Sequence, residues 1–388
     1  MSTDFDLCVV GGGIIGAGIA QAAALNGLST VIVERKGWGS GNTHKSNRLV
    51  HGNLERFSER NILQTREDLL ERKILLTIAP DLIKPSWFYL PIFADDKRVP
   101  WSTEMQLMAY DMLAGKTKLP WYKRISEDEW RDLDGLNQFK LEAVYKFSDA
   151  HTDETLLTQE IVRSAKMHGA LALCPVNFDE AIKTSDGYKV QVTKGSRTRT
   201  FECRFIANAT GAWSSLTAER MGLLSKLPNV QHVKSTFIEF SQQLSDKHFL
   251  IEPPDQAERL IVSPWRGGTL VGASEKLFSG NPDHVKPTVD EVEQLVKTVR
   301  HHFPHFNHSP SQAWCGLGSK TLTRKQSKAS DRRLFVLEES RYLGIYGGQL
   351  TSYRILAEKA VKKILRVLNE TVEDALDTPF VSSSSIPI

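Results

Sequence analysis

Between Leu7 and Val33 the chain carries no ionisable side chain apart from the thiol of Cys8. A run of that length is long enough to cross a bilayer or to serve as a secretory signal, so its explanation constrains everything downstream. Two observations oppose a membrane reading. The residues before it are acidic, Asp4 and Asp6, with no Lys or Arg, the reverse of a signal peptide's basic start. Gly11, Gly12, Gly13, Gly16 and Gly18 crowd one part of it, where exposed backbone is costly in lipid. Periodicity divides the run instead into an apolar strand over 5–10, a glycine turn, an Ala/Ile-rich helix over 14–26 and a second apolar strand over 30–33, with Gly27 suited to the helix C-terminus.

The glycines at 11, 13 and 16 spell G-x-G-x-x-G between strand and helix, and Glu34 closes the second strand 18 residues after the last of them. The pattern predicts a dinucleotide-binding unit. Gly11 permits the tight turn, Gly13 lets a pyrophosphate approach the backbone, and Gly16 lets helix and strand pack closely. The helix N-terminus then offers unpaired N–H groups to the phosphates, and Glu34 accepts from ribose hydroxyls. The fingerprint alone does not choose between NAD and FAD. Two other segments bear on the choice. Residues 206–213 are an apolar strand running into a small-residue turn, suited to close approach of a cofactor. Residues 343–351 lead through Gly347 and Gly348 into an amphipathic helix, a second anion-favouring N-terminus and one able to stabilise negative charge on a reduced flavin ring.

Composition narrows the class. The chain has 388 residues, 40% hydrophobic and 24% charged, enough for two or three domains and ordinary for an enzyme. Lys plus Arg number 49 against 46 Asp plus Glu, a net +3 that gives no footprint for nucleic acid. Four scattered cysteines, Cys8, Cys174, Cys203 and Cys315, contain no CxxC pair, which points to a reducing cytoplasm rather than a disulfide scaffold or zinc site.

Taken together, Val10 to Ala20, Arg48-Leu49-Val50-His51-Gly52, Phe147-Ser148-Asp149 with Asp153, Asn208 to Trp213, Pro264-Trp265 with Val271-Gly272, and Gly347 to Arg354 resemble the FAD-dependent glycerol-3-phosphate dehydrogenases of the D-amino-acid-oxidase-like superfamily along nearly the whole chain. The resemblance implies an α/β fold: a Rossmann-like FAD-binding domain plus a substrate domain built on an antiparallel sheet over the flavin. It implies a discontinuous FAD domain (residues 1–85, 145–215 and 330–375), a substrate domain (86–144 and 216–329) and a flexible tail (376–388), without the C-terminal helical domain of larger members. The cofactor is then noncovalent FAD, held by Gly11, Gly13, Ile14, Ile15, Gly16, Glu34, Arg35, Thr43, Val176, Ala209, Thr210, Gly211, Trp213, Gly348, Gln349, Leu350 and Thr351.

The departures from that family gather where substrate should bind. Its His-Gly-Gly-Leu-Arg-Tyr stretch reads His51-Gly52-Asn53-Leu54-Glu55-Arg56 here, so a cation has become an anion. Its Lys-Gly-Ser-His reads Lys234-Ser235-Thr236-Phe237, replacing the candidate proton acceptor with an apolar ring. Its Gly-Val-Arg-Pro reads Gly316-Leu317-Gly318-Ser319, and the lysine of its Gly-Gly-Lys-Leu-Thr is Gln349. A phosphate dianion taken out of water needs charge-assisted donors, so these losses weaken phosphate binding. Arg56, Lys234, Lys320 and Arg324 are the substrate-binding candidates, with Arg332 and Arg333 nearby, and His51 is the titratable group retained beside the flavin, as hydrogen-bond donor or as catalyst.

The expected activity is hydride transfer from a small hydroxyl- or amine-bearing substrate, glycerol 3-phosphate being the leading named candidate, with quinone, oxygen or another compound as electron acceptor. The expected location is cytoplasmic, peripheral membrane contact being left open. Two other classes stand beside this reading: a flavin-binding sensor or partner-dependent subunit without turnover, and an NAD-dependent dehydrogenase. Other features read as structural. His301, His302, His305 and His308 follow a helical pattern and suit a helix C-terminus rather than a metal site. The basic run 194–199 reads as a hairpin, the aromatic stretches 87–89 and 121–122 as core, and the serine-rich residues 381–388 as a disordered tail.

Overall fold

The first strand of the computed structural model, Phe5–Val10, lies at the centre of a sheet rather than at a surface. Residues 3–58, 61–254, 259–323, 326–330 and 332–371 are described; Arg324 and the tail 376–388 fall outside them. Phe5–Val10 pairs in parallel with Thr30–Val33 on one side and Arg197–Asn208 on the other, in the register Leu7↔Thr30 and Val9↔Ala207. Parallel Leu171–Leu173 extends one flank, and Tyr342–Gly347 the other, capped by antiparallel Arg332–Leu337. A strand in the middle of a parallel sheet is covered on both faces and so reads as an unbroken apolar run.

The helix Ile14–Leu25 is buried nearly all round, from Ile14 and Gly16 through Ala24, which explains why its sequence carries no charge on any face. It is wedged between the sheet and two further helices, Glu154–Met167 and Tyr353–Leu368. Its alanines are a consequence of that crowding, since Gly18 lies so close to Tyr353 that a Cβ would sit 2.8 Å from the ring.

A second sheet, ten-stranded among the described residues, begins at Gln326–Ser330 and runs through Gln312–Thr323, Val230–Phe240, Gly268–Phe278, Leu260–Trp265, His248–Ile251, Ile83–Phe93 and Leu141–Thr152 to Leu49–Val50. Its pairings are antiparallel except between His248–Ile251 and Ile83–Phe93. One core within it joins Ile238, Phe249, Val271 and Phe303, including the helix Val289–His302; another joins Leu90, Tyr145 and Phe147 to Leu69 and Leu107 on the helices Ile62–Ile78 and Pro100–Ala114.

The sheet cuts across the domain boundaries expected at 85/86 and 144/145, which fall inside Ile83–Phe93 and Leu141–Thr152. A strand is held along its length by its neighbour, here from Ile83↔Thr152 to Ile92↔Ala143, and composition does not report where such a ladder stops. The basic run does form the turn of a hairpin, between Tyr188–Lys194 and Arg197–Asn208. The aromatic stretches divide: Phe88 is buried, whereas Trp121, expected in the core, is 54% exposed. Of the histidine tract, His302 is buried with Nδ1 against the Thr298 carbonyl at 2.9 Å, and His301, His305 and His308 are exposed.

Candidate active site

The candidate cofactor residues converge at the C-terminal ends of the parallel strands, where open α/β sheets bind ligands. Gly11 has a left-handed φ of 108°, and a Cβ there would lie 2.6 Å from the Ala209 carbonyl oxygen. At Gly16 a Cβ would lie 1.9 Å from the Gly11 carbonyl oxygen, so the turn and the helix close on each other only through glycine. At Gly13 the only near atom is Thr43 Oγ1 at 3.2 Å, which leaves its outer side open. Thr43 Oγ1 accepts the Ile14 N–H at 3.1 Å and so caps the helix start, while the amides of Ile15 and Gly16 have no hydrogen-bond partner among the described residues. Glu34 Oε2 accepts from Gly12 N–H at 2.8 Å and Oε1 from Lys36 N–H at 2.7 Å, orienting a carboxylate that retains further lone pairs. The Val176 N–H donates to the Glu34 carbonyl at 2.8 Å. Arg35 stacks over the Trp213 ring at 4.5 Å, and both donate to Asp283, the Trp213 Nε1 at 3.0 Å and the Arg35 Nη2 at 3.1 Å.

The C-terminal glycine pair reaches the same place. A Cβ on Gly348 would sit 3.1 Å from Ile15 of the first helix. Thr351, buried, accepts the His51 N–H through Oγ1 at 2.9 Å and donates to the His51 carbonyl at 3.1 Å. His51 is thereby fixed to the glycine-pair segment across 300 residues.

Around His51 the departures from the family pattern turn out to be partners. Asn53 Nδ2 donates to Gln349 Oε1 at 2.9 Å, and Gln349 Nε2 donates back to Asn53 Oδ1 at 3.0 Å. Gln349 Oε1 also accepts from Arg332 Nη2 at 2.7 Å, and Arg332 grips fully buried Asp68 bidentately at 2.5 and 2.7 Å. Asp68 accepts from Asn53 as well, at 2.9 Å. Even so, burial raises the Asp68 pKa above the ordinary carboxylate value, against the pull of Arg332.

Glu55, four residues past His51, brings Oε2 to 3.6 Å from His51 Nδ1, and both side chains are largely buried. Burial opposes charge on each, yet the attraction wins on both. His51 is raised above its usual value by Glu55, Asp149 and Asp68, and Glu55 is lowered to about 2 by His51 and by hydrogen bonding. Behind them runs a buried chain: Gly52 N–H donates to Tyr110 Oη at 2.7 Å, Tyr110 donates to Asp149 Oδ2 at 2.8 Å, and Arg72 donates to Asp149 Oδ1 at 2.5 Å. Asp68, Tyr110 and Arg72 escaped sequence reasoning because nothing local marks them; Asp149 was visible only as part of a matched stretch.

The substrate candidates do not gather at one point. Arg56 reaches across to Glu275 on Gly268–Phe278 at 2.6 Å. Lys234 is turned to the other side of its strand with Thr236, where both meet Glu291 of the helix Val289–His302, Lys234 at 2.8 Å. Lys320 is half-buried opposite Gln231, with no hydrogen bond or ion pair to the 51–57 segment among the described residues. Arg324 lies outside the described residues.

The residues fit FAD: a glycine cradle with no room for Cβ atoms at its base and open at Gly13, two uncapped amides at the helix start, and an oriented carboxylate at the ribose position. Comparison with known proteins agrees. Residues 6–348 match the family described as FAD dependent oxidoreductase (DAO). The chain is 28% identical over 375 residues to D-erythritol 1-phosphate dehydrogenase of Brucella abortus (strain 2308), covering 93% of this chain and 74% of that one. It is 26% identical over 396 residues to aerobic glycerol-3-phosphate dehydrogenase of Bacillus subtilis (strain 168), covering 95% and 68%. Among solved structures, the glycerol-3-phosphate dehydrogenase of Bacillus halodurans complexed with FAD superposes with a TM-score of 0.74 at 22% identity, covering 97% of this chain and 67% of that one. The L-α-glycerophosphate oxidase of Mycoplasma pneumoniae with FAD bound gives the same TM-score at 18% identity, covering 97% and 98%.

Proposed function

The chain belongs to the DAO family of FAD-dependent oxidoreductases, and from that premise we propose that it oxidises a small hydroxyl- or amine-bearing substrate that carries no phosphate dianion. FAD, when bound, accepts the hydride from the carbon bearing the hydroxyl or amine. Membership removes the NAD-dependent alternative and the reading without turnover.

The observation that carries the substrate proposal is the pairing of charge. Arg332 is committed to Asp68, Arg56 to Glu275, Lys234 to Glu291 and His51 to Glu55. A phosphate would have to draw such cations away from largely buried carboxylates, and stripping one partner from a buried pair costs about 3–5 kcal/mol. A neutral polyol or an amine makes no such demand. In this reading Thr351 and Tyr110 hold the backbone at His51 and Gly52, and Glu55 keeps a proton on His51 Nδ1. Nε2 is then the ring atom that exchanges the substrate proton. The reading includes an FAD-binding body and a substrate body, an acceptor such as quinone or oxygen, and a cytoplasmic setting supported by four free cysteines.

One observation favours a phosphorylated substrate such as glycerol 3-phosphate instead. Arg259 is 4% exposed, and although its Nε lies 3.8 Å from Glu252 Oε2, its three guanidinium nitrogens make no hydrogen bond among the described residues. Anaerobic mixing of the FAD-loaded enzyme with polyols, hydroxy acids, amines and glycerol 3-phosphate decides between them. Bleaching of the flavin band by a neutral or amine substrate is expected; bleaching by glycerol 3-phosphate at roughly millimolar concentration or below overturns the proposal.

A further inference from the structure

A groove of about 650 Å³ lies between the strand Arg332–Leu337, at the edge of the first sheet, and the helices Ile62–Ile78 and Tyr353–Leu368. Six of its lining residues are cations: Arg332 and Arg333 from the strand, and Lys359, Lys362, Lys363 and Arg366 from the second helix. Glu67 is the one carboxylate among the lining residues, and Lys359 pairs with it. Arg332 is held by Asp68, and Lys362 meets Glu358 at 2.7 Å. The side chains of Arg333, Lys363 and Arg366 make no hydrogen bond or ion pair among the described residues. Two pairs on the helix, Lys359 with Lys363 and Lys362 with Arg366, stand four residues apart, a spacing at which like charges repel and weaken a helix. The helix macrodipole accounts for Arg366 in the last turn. It gives no reason for Lys359 two turns earlier, or for arginines arriving from a separate strand.

We propose that this groove is a second ligand site, for a nucleoside di- or triphosphate. A cleft walled by charge of one sign focuses its field on a counter-ion, and ammonium and guanidinium groups are the donors that hold phosphate oxygens. The rest of the lining suits a base. Leu334 and buried Leu356 supply apolar surface, Leu63 stands at 78% exposure, and Gln64 offers an amide to a base edge. The volume falls within the roughly 300–1,000 Å³ of small-molecule sites, which favours a ligand of nucleotide size over a macromolecule. Two lining residues also reach the cofactor side. Arg332 Nη2 donates to Gln349 Oε1 at 2.7 Å, and a Cβ on Gly348 would lie 2.8 Å from Leu356 Cδ1. A nucleotide in the groove therefore bears on the segment that holds His51 through Thr351, without entering the substrate site.

The test is calorimetric titration of the FAD-loaded enzyme, whose dinucleotide cradle is already filled, with ATP, ADP, adenosine and inorganic triphosphate at low salt. ATP and ADP are expected to bind with Kd below roughly 1 mM and to shift the flavin absorption band, with adenosine and inorganic triphosphate about tenfold weaker or more. Lys363 and Arg366 are exposed, so the double variant Lys363→Glu/Arg366→Glu should keep its flavin absorption and bind ATP about tenfold more weakly. The neutral pair Lys363→Gln/Arg366→Gln should give a smaller loss in the same direction and guards against a fault peculiar to charge reversal. Absence of ATP binding at millimolar concentration, or an affinity unchanged in both double variants, overturns the proposal. Equal binding of inorganic triphosphate and ATP also overturns it, since the groove would then read phosphate charge alone. ATP binding that leaves the flavin band unmoved overturns the link to Gly348 and Gln349.

Discussion

Replacing Glu55 by Gln removes one charge from a buried pair while keeping the size of the side chain, and the pair's geometry sets the size of the effect. At 3.6 Å, with an effective dielectric near 20, the attraction is about 4–5 kcal/mol. Desolvation of two side chains that are 8% and 17% exposed consumes part of this, leaving an expected loss of about 2–3 kcal/mol near pH 6. The pH dependence is the sharper test. Glu55 is lowered in the folded protein, so its contribution is present above its ordinary pKa of 4.5 and is lost as pH falls toward about 2. His51 is raised, so its contribution is complete below its ordinary 6.5 and is lost as pH rises through the folded value, at up to about 1.4 kcal/mol per pH unit. The pair therefore stabilises most between pH 4.5 and 6.5. In Glu55→Gln the His51 pKa falls, because burial then opposes only the more distant Asp149 and Asp68. Urea unfolding of both FAD-loaded proteins at pH 6 and pH 9, followed by tryptophan fluorescence, should show a gap at pH 6 that closes by pH 9. An equal gap at both values refutes the reasoning, since it would mean that the Glu55 effect is steric rather than ionic.

Gly16→Ala places a methyl carbon against the Gly11 carbonyl and should cost several kcal/mol or prevent folding, read by thermal unfolding, whereas Gly13→Ala, near only Thr43 Oγ1, should fold but lose flavin absorption on desalting. Arg332→Met leaves Asp68 buried without its cation and should lower stability by about 3–5 kcal/mol in urea unfolding; Asp68→Asn together with Arg332→Met should recover part of it. Gln349→Lys restores the family's cation in type but sets an ammonium beside the Arg332 guanidinium, so it should destabilise the fold by about 1–3 kcal/mol without producing flavin bleaching by glycerol 3-phosphate.

The glycine fingerprint, Glu34 and the helix after the glycines were legible because each depends on residues close in sequence: a turn needing positive φ at Gly11, a close approach at Gly16, a carboxylate at a strand end. The second glycine segment was legible for the same reason, and the resemblance linked it to the first. The substrate side was not. Gln349 read as a lost lysine when taken by itself, and only the fold reveals that it bonds to Asn53 across 296 residues, with Arg332 in the same cluster. Lys234 and Arg56 both read as pocket cations, but strand alternation turns Lys234 to Glu291 and away from the Ser235 side, where Arg56 and Ser235 meet Glu275. Trp121 read as core because hydrophobicity reports a preference for burial and not which face is buried.

By itself, then, the uncharged run from Leu7 to Val33 determined a strand, a tight glycine turn and a helix, because φ/ψ demands and close approaches within a few residues are written into residue type. Tertiary structure decided why the run is uncharged on every side of the helix, which is wedged between a sheet and two helices drawn from beyond residue 150. It also decided which charges cancel around His51, because Glu55, Asp68, Asp149, Arg72 and Arg332 meet there only through the packing of separate strands and helices. Electrostatic partnership falls off over ångströms of space and is blind to distance along the chain.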